Sequence, residues 1–387
     1  MPGVPLAAKL IFGAGVSGVA GVYCYNRLGP QIKDNWLNTK NRPETESDSL
    51  LKKHLTLSVF EKLRTCKTWV GGTLWHVINS GVENPEASIG VYVPEAEGYK
   101  VFAELLDPII ADYHGFGKND RQPPVDLGQD KLDTLPDLDP DGKFVLSTRI
   151  RCGRTLKDFP MNSLLSRDDY VHLEARLKKA LQRLADEELK GSYYPLLGMS
   201  SSVQKQLVAD HFLFKDNDSH LTSAQATQHW PVGRGIFHNA AKTFLVWVGE
   251  EDHVRIIAME PGAKVGNVLS RLNRGIQGLE SEVPFARDSR LGWITFCPTN
   301  LGSTVRASVH IKLPKVSARK DFKELCESLN LQVRGIHGEH SSSEGGVYDI
   351  SNKRRLGISE YDAVKEMHSG VAKLIDLEKA GGYDKNA

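Results

Sequence analysis

Residues 243–260 read TFLVWVG, EED, HVRIIAME: two apolar, β-prone runs joined by three acids. That pattern calls for an antiparallel hairpin with an acidic turn at Glu250, Glu251 and Asp252. A second stretch, TFCPTNLGSTVRASVHIKLP at 295–314, restricts the chain in the same direction. In it Val305, Ala307, Val309, Ile311 and Leu313 alternate with Arg306, Ser308, His310 and Lys312. A period of two sends the first set to one face of a strand and the second set to the other. The preceding GWITFCP is expected to be a strand that ends at Cys297, before Pro298. Hairpin-linked strands with one apolar face require an antiparallel sheet and a helical layer to cover it.

The covering helices are legible. Ser166, with Asp169 three residues on, is a capping-box start, and Tyr170, Leu173, Leu177, Leu181 and Leu184 supply the apolar stripe. Further helices are expected near 264–281, near 318–329 and from Ser359 onward, with strands in KFVLSTRIR and LQVRGIH. Upstream, residues 51 to about 114 read as mainly helical, interrupted by a loop in which Pro85, Gly90 and Pro94 fall. Residues 115–142 are rich in Pro, Gly and Asp and read as an interdomain linker. At 387 residues the chain exceeds what one core usually holds. The expected class is α+β: an apolar leader and linker (1–45), a small all-helical N-terminal domain (46–136), and a larger domain (137–387) with an antiparallel sheet flanked by helices.

A formal net charge of +1 gives no nucleic-acid-scale electropositivity, so no nucleic-acid partner is expected. Five scattered cysteines with no CxxC pair argue against a disulfide framework or zinc site and for a reducing compartment. The first 29 residues carry no acid, and residues 4–25 are apolar enough to contact a membrane if Lys9 snorkels. Both an organelle-targeting leader and a membrane tether fit that composition. The expected location is intracellular: mitochondrial or membrane-associated through this segment, otherwise cytoplasmic. Gly13, Gly15 and Gly18 spell G-x-G-x-x-G with Asp34 downstream, but Gly29-Pro30 interrupts the segment, which reads as small-residue packing rather than a dinucleotide loop.

Arg149, Arg151, Arg255, Arg306 and Arg334 all fall on or at the ends of expected strands. One strand arginine is ordinarily a solvated surface residue. Five on the polar face of one sheet point to a polyanion site, each charge pair at about 4 Å being worth roughly 4 kcal/mol at an effective dielectric of about 20, before desolvation. Phosphoryl transfer needs little beyond such positioning and charge stabilisation. The chain has no GxxxxGK[ST], HRD or DFG motif, so a nucleotide would be held by side-chain arginines. Glu251 in the hairpin turn and Glu339 in VRGIHGEH would clamp a guanidinium by paired hydrogen bonds. Cys297, its thiol acidified by nearby cations and N–H donors, is expected to face the same group as a thiolate. A small buried hydrophobe is the ordinary alternative.

The segment CPTNLGSTVRASVH resembles the signature of the phosphagen (ATP:guanidino phosphotransferase) kinases. STRIRCGR, AKTFLVWVGEEDHVRII, PVGRGIFHN, VRGIHGEH and EGGVYDISNKRRLG are similar to members that phosphorylate L-arginine, in family order from about residue 52 to 380. The resemblance implies reversible transfer of the ATP γ-phosphoryl group to a guanidino nitrogen, with Mg2+ held through the nucleotide phosphates and no protein metal site. It implies nucleotide contacts at Ser147, Thr148, Arg149, Ile150, Arg151, His211, Arg255, Arg306, Ala307, Ser308, Val309, His310, Arg334, Gly335, Ile336, His337, Gly338 and Glu339. Acceptor contacts fall at Ser88, Ile89, Gly90, Val91, Tyr92, Glu251, Cys297 and Glu339, and the catalytic set is Glu251, Glu339, Cys297, Arg255 and Arg306. The loop reads ASIGVY where these relatives typically have SGVGIY, and His337 stands where they have Arg. Another guanidine such as taurocyamine is therefore an alternative acceptor. A protein-arginine kinase and an inactive nucleotide-binding homologue are further readings, opposed by the helical N-terminal region and the complete catalytic set. The family includes monomers and dimers, so oligomeric state stays open.

Overall fold

Alternation in the strands becomes one eight-stranded sheet with every pairing antiparallel, in the order Gly191–Pro195, Gly235–Asn239, Phe244–Val248, Val254–Pro261, Val145–Arg154, Arg306–Lys312, Val347–Asn352 and Leu331–Arg334. The computed structural model describes residues 49–214, 216–335 and 346–382. The leader, residues 336–345 and the last five residues lie outside them, so the expectations for residues 1–45 and for Ile336, His337, Gly338 and Glu339 do too.

The described chain opens with α1 (Leu50–His54), α2 (Leu57–Leu63), α3 (Leu74–Glu83), α4 (Gly98–Val101) and α5 (Ala103–His114). Thr56 caps α2 by accepting from Val59 N, and Thr73 and His76 cap α3 reciprocally. Leu51, Phe60, Val77, Phe102 and Ile109 form a core that continues onto Met161, Phe296 and Leu356, so the helices are packed onto the larger part. Residues 115–142 contain a single short 3-10 turn, Leu132–Thr134, and follow the surface of that part. Gln122 donates to Ile358 O at 2.7 Å and accepts from Gly357 N at 2.8 Å, and Asn273 donates to Leu127 O at 2.6 Å.

The rest runs β1 (Val145–Arg154), α6 (Arg167–Gln182), β2 (Gly191–Pro195), α7 (Ser201–Ala209), α8 (Ser219–Ser223), β3 (Gly235–Asn239), β4 (Phe244–Val248), β5 (Val254–Pro261), α9 (Val265–Glu280), β6 (Arg287–Asp288), β7 (Gly292–Trp293), β8 (Arg306–Lys312), α10 (Phe322–Ser328), β9 (Leu331–Arg334), β10 (Val347–Asn352) and α11 (Glu360–Lys379). Ser166 and Asp169 form the expected capping box, and α6 buries Tyr170, Leu173, Leu177 and Leu181. These side chains, with Val268 and Leu272 of α9 and Val364 and Val371 of α11, cover one face of the sheet at Ile150, Val246, Ile256 and Val309. Each such buried aliphatic contributes about 1.5–3 kcal/mol.

The opposite face is divided. Over β3, β4 and β5, Ile236, Leu245 and Ile257 are covered by Leu207, Phe212 and Phe214. Over β1, β8, β10 and β9 the same face is polar. The expected strand GWITFCP is cut short: only Gly292–Trp293 pairs, with β6. Beyond it the backbone bonds elsewhere. Phe296 N donates to Asp252 Oδ1 at 3.2 Å, Phe296 O accepts from Val93 N at 2.8 Å, and Cys297 O accepts from Thr295 Oγ1 at 2.8 Å. Cys297 therefore ends no strand and leads into a 3-10 turn, Pro298–Asn300.

Candidate active site

Strand register gathers the arginines. Arg151 lies opposite Arg306 and Arg149 opposite Ser308 across β1 and β8. Gly153 lies opposite Arg255 across β1 and β5, and Arg334 lies opposite Asp349, itself opposite His310. Directly opposed residues of antiparallel strands share a face, so all five arginines, with Ser147, Ser308 and His310, project from one side of the sheet. The same parity sends the side chains of Thr148, Ile150, Ala307 and Val309 to the helix-covered face. Thr148 donates there to Gly262 O at 2.8 Å. Among the anticipated nucleotide contacts, these four can offer only backbone. His211, exposed, follows α7, and Phe212 O next to it accepts from Trp247 Nε1 at 2.8 Å. The Arg149 guanidinium lies 5.7 Å from the centre of that indole, which sets His211 at the border of the arginine field. Gly335 ends the described part of its segment.

The guanidinium groups crowd one another. Burial, and then Arg306, lowers the Arg149 pKa to about 10. Arg151 is held well below the ordinary arginine range by burial, then by Arg255, Arg149, Arg306 and Arg355. Arg306 pairs with Asp349 at 2.7 Å. Burial opposes ionisation of Asp349, but Arg306 overcomes it and holds the carboxyl below its usual range. A multiply charged anion is what such a field favours.

Arg255 is treated differently. All three acids of the hairpin turn converge on it: Glu250 at 2.6 Å, Glu251 at 3.1 Å and Asp252 at 3.6 Å. Burial works against its charge, yet the three carboxylates together raise its pKa. Burial pushes the carboxyls of Glu250 and Asp252 upward. The turn sits this close because Gly153 faces it; a Cβ there would stand 2.6 Å from Asp252 Oδ2.

Beside this turn lies the candidate acceptor end. Glu251 Oε1 accepts from Asn300 Nδ2 at 2.6 Å, and Asn300 Oδ1 accepts from Arg355 at 2.6 Å. Cys297 Sγ is 3.1 Å from Thr299 Oγ1. Burial, then the nearby Glu251 carboxylate, pushes the thiol up to about 12. Burial and the anion beside Cys297 thus work against the expected thiolate in this arrangement, while the Thr299 donors work for it. Tyr92 packs on Phe296 with ring centres 4.7 Å apart, and its phenol is raised by burial, then by Cys297 and Glu251. Ser88 and Ile89 spend their carbonyls on Leu50 N and Leu51 N, Val91 is fully buried, and Gly90 holds a φ of 71°. Of the 88–92 loop, Tyr92 is the residue whose side chain packs on Phe296, next to Cys297, and feels the charges of Cys297 and Glu251.

Sequence reasoning missed Arg355, Asn300 and Asp349. A cleft is lined by Arg151, Arg255, Arg306 and Arg355 together with Asn300 and Asp252. Arg355 follows β10 on irregular backbone, where no strand parity could assign it. Asn300 stood unremarked inside CPTN. Among the described residues no group of three or more His, Cys, Asp or Glu could hold a metal ion, and no helix is long and apolar enough to cross a membrane.

Comparison with known proteins identifies this geometry. Residues 45–111 match the family model for the ATP:guanido phosphotransferase N-terminal domain, and residues 172–381 match its C-terminal catalytic domain. A probable arginine kinase of Caenorhabditis elegans is 56% identical over 343 residues, covering 88% of this chain and 95% of that protein. The arginine kinase of Limulus polyphemus is 53% identical with the same coverage of both chains. Among solved structures, a lombricine kinase superposes with a TM-score of 0.83 at 37% identity, over 90% of this chain and 95% of that one. The substrate-free duplicated taurocyamine kinase of Schistosoma mansoni gives 0.83 at 42% identity, over 95% of this chain and 50% of that longer one. With both family domains matched in order and more than half the residues shared with such enzymes, the chain belongs to the ATP:guanido phosphotransferases, which pass a phosphoryl group between ATP and a guanidino group.

Proposed function

We propose that the chain transfers the γ-phosphoryl group of ATP reversibly to the guanidino group of L-arginine, giving phosphoarginine and ADP. The observation that carries this reading is the arginine face of the sheet, which runs into Glu251 through its ion pair with Arg255. In this reading Arg149, Arg151, Arg255, Arg306 and Arg334 neutralise the phosphates and fix the transferred group in line. Glu251, with Glu339, orients the acceptor guanidinium, and holding both reactants at attack distance supplies most of the acceleration. L-Arginine is favoured as acceptor because relatives named arginine kinase reach 53–56% identity, against 42% and 37% for the taurocyamine and lombricine kinase structures.

Magnesium belongs to the substrate in this scheme and arrives on the nucleotide phosphates. The protein meets those phosphates with guanidinium donors, and its nearby acids are engaged with Arg255. The apolar, acid-free residues 4–25 support delivery to, or attachment at, a membrane-bounded compartment; cell fractionation with and without residues 1–45 tests that element.

The deciding experiment measures ADP formation from Mg-ATP by the full chain with L-arginine, taurocyamine, glycocyamine, creatine and no acceptor. Turnover should be highest with L-arginine. A preference for another guanidine would reassign the acceptor to the 87–92 loop, and silence with all four would overturn the reading.

A further inference from the structure

Between β1 and α6 the chain passes behind the acid turn, and one buried side chain there grips it. Asn162 Nδ2 donates to Glu250 O at 2.6 Å and to Glu251 O at 2.9 Å. The residues before it are tied on both sides. Met161 N donates to Pro94 O at 2.7 Å, two residues beyond Tyr92. Pro160 O lies 2.9 Å from His253 Nε2, and His253 Nδ1 accepts from Leu156 N at 3.0 Å. That accepting Nδ1 places the ring proton on Nε2, which donates to Pro160. From behind, Tyr170 Oη donates to Asn162 O at 3.3 Å. Residues 160–162 thus form a strap with one attachment on the acceptor loop and another on the backbone of Glu251.

We propose that Asn162 is a positioning residue for phosphoryl transfer. Its amide fixes the peptide units of Glu250 and Glu251 and so sets the direction in which the Glu251 carboxylate meets the acceptor. Through Met161 the same strap keeps the Tyr92 loop in register with that carboxylate. Three features favour this over a purely supporting role. Both bonds go to Glu250 and Glu251, the two of the three turn acids that lie nearest Arg255. Glu251 divides its oxygens between Arg255 at 3.1 Å and Asn300 at 2.6 Å, so a small rotation of its peptide changes both. The strap also touches acceptor loop and acid turn at once, which one wall of a core need not do. A misplacement of about 1 Å at such a group costs on the order of 100-fold in rate.

The proposal rests on the proposed function and is tested with the full chain. Asn162→Ala removes both donors; Asn162→Asp keeps the shape and turns an acceptor toward two carbonyls. Each folded variant is expected to lose about 10–100-fold in kcat with L-arginine, while KM for Mg-ATP stays within about twofold. The ratio of phosphoarginine to ADP should also fall. An independent readout is the alkylation rate of Cys297 at fixed pH, which should change because the Glu251 charge beside it has moved. Should Asn162→Ala fail to fold, Asn162→Asp carries the same measurements. An active wild type with unchanged kcat in either folded variant, or losses that only follow the folded fraction, overturns the role of Asn162 alone. An inactive wild type overturns the functional reading and this role with it.

Discussion

Asn300 donates its side-chain amide to Oε1 of Glu251 across 2.6 Å. Its carbonyl meanwhile accepts from Arg355, also at 2.6 Å, so one neutral residue separates a carboxylate from a guanidinium in the heart of the cleft. Asn300→Ala is expected to lower kcat about 10–100-fold, the usual weight of a charge-assisted hydrogen bond, with a smaller change in KM for ATP. Asn300→Asp should be worse for turnover, since it keeps a partner for Arg355 but sets a second negative charge against Glu251. Steady-state kinetics on both variants checks the order.

The arginine field opposes folding while it favours anions. Arg151, depressed by burial and by four neighbouring guanidinium groups, should illustrate this when replaced. Arg151→Met is expected to raise the unfolding temperature of the ligand-free protein, by about 1 °C for each kcal/mol gained. The same variant should bind ADP more weakly and show a smaller ADP-induced shift. Differential scanning calorimetry with and without ADP measures both, and a lowered ligand-free midpoint would contradict the argument.

Cys297 offers a pH test. With its thiol pushed up to about 12, alkylation by iodoacetamide should be slow at pH 8 and still climb between pH 9 and 11 without a plateau. Glu251→Gln removes the adjacent negative charge, lowers the thiol pKa and should speed the reaction at pH 8. Residue-resolved mass spectrometry distinguishes Cys297 from the other cysteines.

His253 is buried and its pKa is lowered to about 4 by that burial, from 6.5. Between those values the unfolded chain binds a proton that the folded protein does not. Stability from this group is therefore full above pH 6.5 and is lost as pH falls toward 4, at up to about 1.4 kcal/mol per pH unit. Buried acids such as Asp252 carry the opposite slope, so the comparison must be differential. His253→Gln should unfold at lower denaturant overall, yet lose less stability than the wild type between pH 6.5 and 5. Equal slopes for the two proteins would rule out His253 as the source.

The arginine face could be read from residue spacing because alternation is a property of single strands. Arg149 with Arg151, and Arg306 with Ser308 and His310, needed no partner strand to declare a common side. Register also carried that face across the sheet without any signal of its own, since opposed residues follow the same parity. What stayed illegible depended on contacts between distant segments. The strand expected through Cys297 fails because Asp252 and Val93 take the backbone of Phe296. The anion that raises the Cys297 thiol, Glu251, comes from a hairpin 46 residues earlier, so no local pattern announces it. Arg355 and Asn162 lie on irregular backbone, where neither periodicity nor motif indicates which way a side chain turns. Glu339 and its neighbours, which include the second carboxylate of the expected clamp, fall outside the described residues.

The position opposite Arg255 on the neighbouring strand is Gly153, and its α-hydrogen is the spacer that lets Asp252 approach. A Cβ at this position would force the Asp252 carboxylate to shift, so the separation of strand and turn here is matched to a hydrogen. A methyl group there would press on Asp252 Oδ2, the same oxygen that pairs with Arg255. The chemistry at this end of the sheet is calibrated by a residue that takes no part in it.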